Sequence, residues 1–298
     1  MDSNLSNHLI NLYRNSKVNY NQVKESCEFF ITNDKPVDVS IIIPVMNRET
    51  FHMPLIKHLK AAMNNYTEKT YSITFVEHCD IPKHKELSQH SKSNYIWIKK
   101  DSHQPFNKCL AMNVGALWSN QSTYYLFHDI DLLMDKNYFR DIFKNLERVH
   151  PNCALQTFAG TRILVMDQNL SQNVLNNNIK LEDLSPGINP PHSNPGAPGG
   201  SIFISRESFK TVGGYDPEFF HSYSPEDAFF FHKLQIMVGI EGCNDPVIEA
   251  YHMWHPYMGS SNPDKPKMEE IWNSFRHEMH NKKIEFINFI SSQYKNIR

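Results

Sequence analysis

No stretch of this chain approaches the roughly 18 consecutive apolar residues of a membrane-spanning helix. The first residues, MDSNLSNHLINLYRN, lack the apolar core of a signal peptide. The five cysteines, at 27, 79, 109, 153 and 243, are odd in number, scattered and without a C-x-x-C pair. That pattern reads as reduced thiols in a soluble, cytoplasmic protein and excludes a disulfide framework. It also denies a structural zinc site its usual ligands. A formal net charge of −2 gives no global basic field, so nucleic acid is not an expected partner. Neither G-x-G-x-x-G nor G-x-x-x-x-G-K-[ST] occurs, which removes nucleotide-binding loops of those kinds.

What is present is an ordinary globular composition, 40% hydrophobic and 21% charged over 298 residues, enough to bury a sizeable core. Residues 1–36 are polar and Asn-rich and read as a helical or loosely packed extension. At 37 the character changes. VDVSIIIPV is a near-continuous β-branched run, as in a strand covered on both faces of a parallel sheet. The helical spacing of MPLIKHLKAAMNN follows, then strands at YSITFVEH and NYIWIK, a helix at FNKCLAMNVGALWS and a strand at TYYLFHD. This alternation predicts an α/β domain over 37–258. Residues 167–200 show little periodicity and read as a functional loop, with 167–198 a candidate lid. SIFIS is read as a strand and EDAFFFHKLQIMVG as a helix, with an amphipathic helix over 266–296 inside a C-terminal segment, 259–298.

Ligands in such sheets sit beyond the carboxyl ends of the strands. PVMNR (44–48) lies at one such end, and Asp129-Ile130-Asp131 at another. Two further constellations are Glu226-Asp227 in SYSPEDAFF and His252 with His255 in YHMWHP. Each has a plain alternative. The D-x-D fits a strand end followed by a cap. Ser224-x-x-Asp227 fits a loose capping box with Pro225 opening a helix. The histidines fit partly buried ring donors, and Gly199–Gly200 fits a turn or a close backbone approach. The metal reading needs only Asp131 plus one or both histidines, because an octahedral ion keeps positions open for phosphate oxygens and water. Imidazole ligands favour Mn²⁺ over Mg²⁺.

In order along the chain, these segments resemble the catalytic domain of metal-dependent GT-A glycosyltransferases. The similarity is to the β-1,4-galactosyltransferase and chondroitin-polymerase type, and more distantly to polypeptide N-acetylgalactosaminyltransferases. The resemblance implies a GT-A fold, a Rossmann-like α/β domain with a mostly parallel central sheet flanked by helices. IIIPVMNR implies donor contacts from Pro44, Asn47 and Arg48, and FNKCLAMNVG from Phe106 and Lys108. FHDIDLL is similar to the family's D-x-D, with Asp129 facing the donor and Asp131 binding the metal. PGGSIFIS implies a donor-side role for Gly199 and Gly200. HMWH implies His255 as a metal ligand, followed by His252.

YSPED stands where the family has Trp-Gly-Gly-Glu-Asp. It implies Asp227 as general base, Glu226 on sugar hydroxyls and Tyr223 as the acceptor platform. Tyr223, Ser224 and Pro225 depart from the family's pattern. Ala197, two before the glycine pair, leaves room for an N-acetyl group. The implied reaction is inverting transfer of a hexose or N-acetylhexosamine from a UDP-sugar, UDP-GalNAc or UDP-Gal favoured, to a saccharide or glycoconjugate hydroxyl. Two other readings stand beside it. One is an inactive sugar-nucleotide or glycan-binding module, which the altered Tyr-Ser-Pro favours. The other is a D-x-D phosphohydrolase, which Leu133 counts against.

Overall fold

The computed structural model describes residues 18–32, 34–158, 163–184, 199–222, 224–256 and 262–293. Its strands are β1 (Cys27–Phe30), β2 (Val37–Val45), β3 (Tyr71–Cys79), β4 (Asn94–Lys99), β5 (Ser122–His128) and β6 (Leu132–Leu133). They are followed by β7 (Ala154–Gln156), β8 (Ile163–Val165), β9 (Ser201–Ser205), β10 (Ile240–Gly242) and β11 (Ala250–His252). The main sheet has eight strands in the order β1-β4-β3-β2-β5-β9-β7-β10, and a second sheet has the order β6-β11-β8.

β2 is apolar almost throughout because both of its faces are covered. Val39, Ile41 and Ile43 join one core layer with Phe51, Leu55 and Leu59 of the helix Glu49–Asn65. Ile42 joins the opposite layer with Ala111, Met112 and Val114 of the helix Lys108–Trp118. The period-2 alternation of a strand thus feeds two cores at once. Each fully buried isoleucine contributes about 1.5–3 kcal/mol from area removed from water.

The centre of the sheet, β4-β3-β2-β5, is parallel, so these strands deliver their carboxyl ends to one edge. β9 runs antiparallel to β5 and pairs His128 with Ser201. The glycine pair before β9 therefore arrives at that same edge. In the small sheet β11 pairs antiparallel with β6, setting His252 opposite Leu132. That register carries the C-terminal histidines back to the residue after Asp131.

The expected α/β architecture is observed, and three local expectations change. Cys27–Phe30, inside the segment read as an extension, forms an edge strand antiparallel to β4. The segment 266–296 is not one helix. Lys265–Asn281 and Lys283–Gln293 are separate, with Lys282 outside helical space at φ −134°, ψ 51°. Within 167–198, Gln168–Leu175 is a helix whose N-cap, Asp167, accepts from the Leu170 N–H at 2.8 Å. Residues 185–198 lie outside the described residues, as do 1–17. No helix of the described residues is long and apolar enough to cross a membrane.

Candidate active site

Two charged centres lie side by side at the carboxyl edge of the sheet. The first is built on Asp131, which is 2% exposed. Its backbone carbonyl accepts from the Met253 N–H at 2.8 Å, which stitches the D-x-D to the H-x-x-H segment. His255 Nε2 lies 3.2 Å from Asp131 Oδ2, and His252 Nε2 lies 3.8 Å from Oδ1. Arg48 Nη1 donates to Asp131 Oδ2. Burial alone would raise the Asp131 carboxyl, but His252, His255 and Arg48 outweigh it and hold the group well below the usual carboxylate range. The same hydrogen bond to Asp131 raises His255 above its ordinary value against the effect of burial.

This donor set fits a divalent cation. One ligand atom each from Asp131, His252 and His255 lies within 4.8 Å of the others. His252 Nδ1 is buried with no hydrogen-bond partner among the described residues. His255 Nδ1 lies 2.9 Å from the Pro256 carbonyl oxygen and 3.3 Å from Arg48 Nη2, while Nε2 faces Asp131. One carboxylate oxygen and two imidazole nitrogens suit Mn²⁺ better than Mg²⁺ and leave half of an octahedral shell for other ligands.

The second centre is Lys108, whose Nζ lies 2.9 Å from Asp129 Oδ1 and 3.0 Å from Asp227 Oδ2. Lys108 opens its helix, where Asn107 caps the backbone through Leu110. A cation at a helix N-terminus opposes the helix dipole, and the two carboxylates offset that cost. Burial acts to lower the Lys108 pKa, yet Asp129 and Asp227 hold it well above its ordinary value. Burial pushes the Asp129 carboxyl up, with Lys108 opposing. Glu226 is pushed up to about 8 by burial and then by Asp227, with Lys108 opposing. That shift favours the protonated carboxyl, the form that can donate a hydrogen bond.

The glycine pair serves these carboxylates directly. A Cβ at Gly199 would lie 2.1 Å from Asp227 Oδ2, so any side chain there collides with the carboxylate. Gly200 has φ +89°, the left-handed region that glycine enters freely, and its carbonyl accepts from the Asp129 N–H at 2.8 Å. The capping-box expectation at Ser224 is corrected. The helix starts at Glu226, Pro225 is its N-cap, and no side chain caps it. The Ser224 hydroxyl instead donates to Glu226 Oε2 at 2.8 Å.

The remaining expected residues frame the two centres. Pro44 is buried within β2, opposite Val76. Asn47 and Arg48 follow with φ of 60° and 63°, conformations costing about 1–3 kcal/mol each outside glycine, though less for Asn. Phe106 is half-buried, and its carbonyl accepts from the Ser222 N–H at 2.5 Å. Tyr223 and Ala197 lie outside the described residues. Sequence reasoning missed His52, Glu77 and His84, which stand behind the Asn47 turn. Glu77, a charged residue inside the apolar run of β3, was the one signal that pointed toward them.

A scan against protein-family models and a search of curated proteins each found no match. Among solved structures the chain is similar to S. aureus TarS 1-349 in complex with UDP-GlcNAc. The identity is 17%, over 87% of this chain and 72% of that one, with a TM-score of 0.57. A further TarS structure matches at 16% identity over 82% of this chain and 40% of that one, TM-score 0.52. The catalytic domain of Drosophila β1,4-galactosyltransferase 7 in complex with xylobiose matches at 15% identity over 74% and 71%, TM-score 0.47. The likeness to TarS identifies the architecture as the GT-A fold, as the sequence resemblance implied.

Proposed function

We propose that this chain is a metal-dependent, inverting glycosyltransferase. It takes a hexose or N-acetylhexosamine from a UDP-sugar, UDP-Gal or UDP-GalNAc favoured, to a hydroxyl of a saccharide or glycoconjugate. The observation that carries the reading is the convergence of Asp131, His252 and His255 from distant parts of the chain beside the Asp129–Lys108–Asp227 cluster, at the carboxyl edge of a GT-A sheet. A UDP-GlcNAc complex of the similar TarS fits a UDP-linked donor. Five unpaired cysteines, four of them buried, fit the reducing cytoplasm.

In this reading Asp131, His255 and His252 hold the cation, Mn²⁺ before Mg²⁺. When bound, it supplies positive charge for the diphosphate of the leaving UDP. Arg48 and Lys108 add fixed positive charge on the donor side, and Asn47, Phe106 and the Gly199–Gly200 backbone shape the donor pocket. Asp129 faces the donor and is held in place by Lys108. The acceptor oxygen attacks the anomeric carbon as the bond to the phosphate oxygen breaks. The electron pair leaves with UDP, and Asp227 takes the acceptor proton. One displacement inverts the anomeric centre. Glu226 in its protonated form donates to a sugar hydroxyl, and Tyr223 is the acceptor platform.

The test is UDP release from a panel of UDP-sugars, with Mn²⁺ and with EDTA, on wild type and Asp131→Ala. The expected outcome is release from one sugar that requires both the metal and Asp131. The loss in Asp131→Ala should exceed the roughly 10–100-fold typical of residues that only orient a ligand. Tight UDP-sugar binding without release, with mixed glycan acceptors present, overturns the transferase in favour of a binding module.

A further inference from the structure

We infer that His84 is a positioning residue for the donor-side turn: it holds the Asn47 carbonyl and thereby sets where Arg48 lies. The inference rests on the reading of Arg48 as part of the donor and metal site.

Asn47 and Arg48 both occupy the left-handed region, and a turn of two such residues persists only where its surroundings fix it. His84 Nε2 lies 2.8 Å from the Asn47 carbonyl oxygen, and Lys83 Nζ lies 2.8 Å from Asn47 Oδ1. A carbonyl oxygen can only accept, so His84 Nε2 carries a proton.

His84 is itself fixed from several sides. It is fully buried, and its backbone N–H donates to Glu77 Oε2 at 3.0 Å. The Lys83 N–H donates to Glu77 Oε1 at 3.0 Å. Glu77 is also fully buried and accepts the Tyr95 hydroxyl at 2.6 Å. On its other side, His84 Nδ1 lies 3.0 Å from His52 Nδ1, and His52 stacks on Phe75 with ring centroids 3.8 Å apart. His52 Nε2 ends the row 3.4 Å from Ser91 Oγ. Burial, then the neighbouring His84, pushes His52 down to about 3, so it is neutral near pH 7. A neutral His52 either donates to His84 Nδ1 or accepts from it. In both arrangements His84 Nε2 keeps its proton for Asn47.

An apolar filling of the same volume would pack without the desolvation of a glutamate and two imidazoles. It would also leave the Asn47 carbonyl without this donor. The row reaches the turn at that single carbonyl, and the next residue in the chain is the one that reaches Asp131. None of His52, Glu77 or His84 touches Asp131, His252 or His255 among the contacts described.

The experiment is calorimetric titration of UDP, with Mn²⁺, into wild type, His84→Gln and His84→Asn, with melting curves for each. The glutamine amide nitrogen reaches the position of imidazole Nε2. The asparagine amide reaches only that of Nδ1. Wild type and His84→Gln should bind UDP within about threefold of each other, and His84→Asn about tenfold more weakly, with similar melting temperatures for the two variants. Equal UDP affinity in the two variants overturns the inference. Wild type that binds no UDP overturns the reading of the site, and the inference falls with it.

If the variants do not fold, the histidine ¹⁵N spectrum of wild type decides, with diamagnetic Mg²⁺ replacing Mn²⁺ under conditions where UDP is seen to bind. A His84 Nε2–H resonance that moves on addition of UDP supports the inference, and one that stays fixed overturns it.

Discussion

Lys233 and Lys108 both meet aspartates, and the surroundings of the two pairs are opposites. Lys233 and Asp216 each have side chains 0% exposed. The Lys233 ammonium also donates to the Gly214 carbonyl at 2.6 Å and lies 5.5 Å and 5.9 Å from the centres of the Phe229 and Phe230 rings. Lys108 is 13% exposed and lies between Asp129 and Asp227, which are 28% and 25% exposed. Gly199 lies against Asp227, where a side chain would collide with the carboxylate. In the first pair, both side chains are sealed from water. In the second, two carboxylates share one lysine at a surface that solvent reaches. A sealed pair fixes the chain in one arrangement. An unmatched, open cluster keeps electrostatic capacity for something that binds. Asp216, Asp227 and Lys233 lie within 17 residues of one another in sequence, so composition alone does not tell the two sites apart.

The comparison breaks most sharply at Asp227. Asp227→Asn removes the proposed base while keeping the shape of the side chain. The expected result is a loss of about 10²–10⁴-fold in UDP release from the donor in the presence of acceptor. The unfolding free energy from urea titration should fall by no more than about 1 kcal/mol, because the cluster is partly solvated and Lys108 keeps Asp129 as a partner. Stability lost in step with activity would mean that this cluster too is a structural fastener.

Lys233→Met is the mirror experiment. It removes the buried ammonium that Asp216 meets, and removing one partner of a buried pair costs about 3–5 kcal/mol. The measurement is urea unfolding at low temperature. UDP affinity of the folded fraction should be unchanged, since none of the described contacts of Lys233 reaches Asp129, Asp131 or Asp227. A change in UDP affinity at fixed folded fraction would show that the sealed pair supports the site.

Much of the frame was legible because it repeats a physical pattern. β2 was readable because most of its nine residues, on both faces, are apolar, and Asp129–Asp131 because acids ended a buried strand. The glycine pair was legible as a place of close approach. That Asp227, rather than a ligand, makes this approach depends on β9 running antiparallel, which no local window contains. Cys27–Phe30 was not readable as a strand, because it pairs on one side only and two of its four residues are exposed. Arg48 was legible as a donor-side residue but not as the partner of Asp131, since that contact depends on a turn with two positive φ angles. His52, Glu77 and His84 meet across separations in sequence that periodicity does not see. The capping reading of Ser224 failed because Pro225 became the cap residue and the hydroxyl turned to Glu226.

The smallest effect expected is at Glu226, and it sharpens the comparison through pH. The Glu226 carboxyl lies near 4.5 in the unfolded chain and is raised to about 8 in the folded one, so the folded state binds a proton that the unfolded state releases. Below 4.5 both states are protonated and the group has no effect. Between 4.5 and 8 only the unfolded chain ionises, so stability falls as pH rises, and above 8 the loss is complete. Glu226→Gln cannot ionise and lacks this fall. Urea unfolding at pH 5 and at pH 8.5 should show the variant gaining on wild type by on the order of 1 kcal/mol at the higher pH, discounted for partial solvent access. Its amide still donates to a sugar hydroxyl as the protonated acid does, so UDP release should fall far less than in Asp227→Asn. Parallel pH profiles for wild type and variant would mean that Glu226 is ionised in the folded protein. The cluster would then hold three negative charges against one lysine, and the donor role given to Glu226 would be wrong.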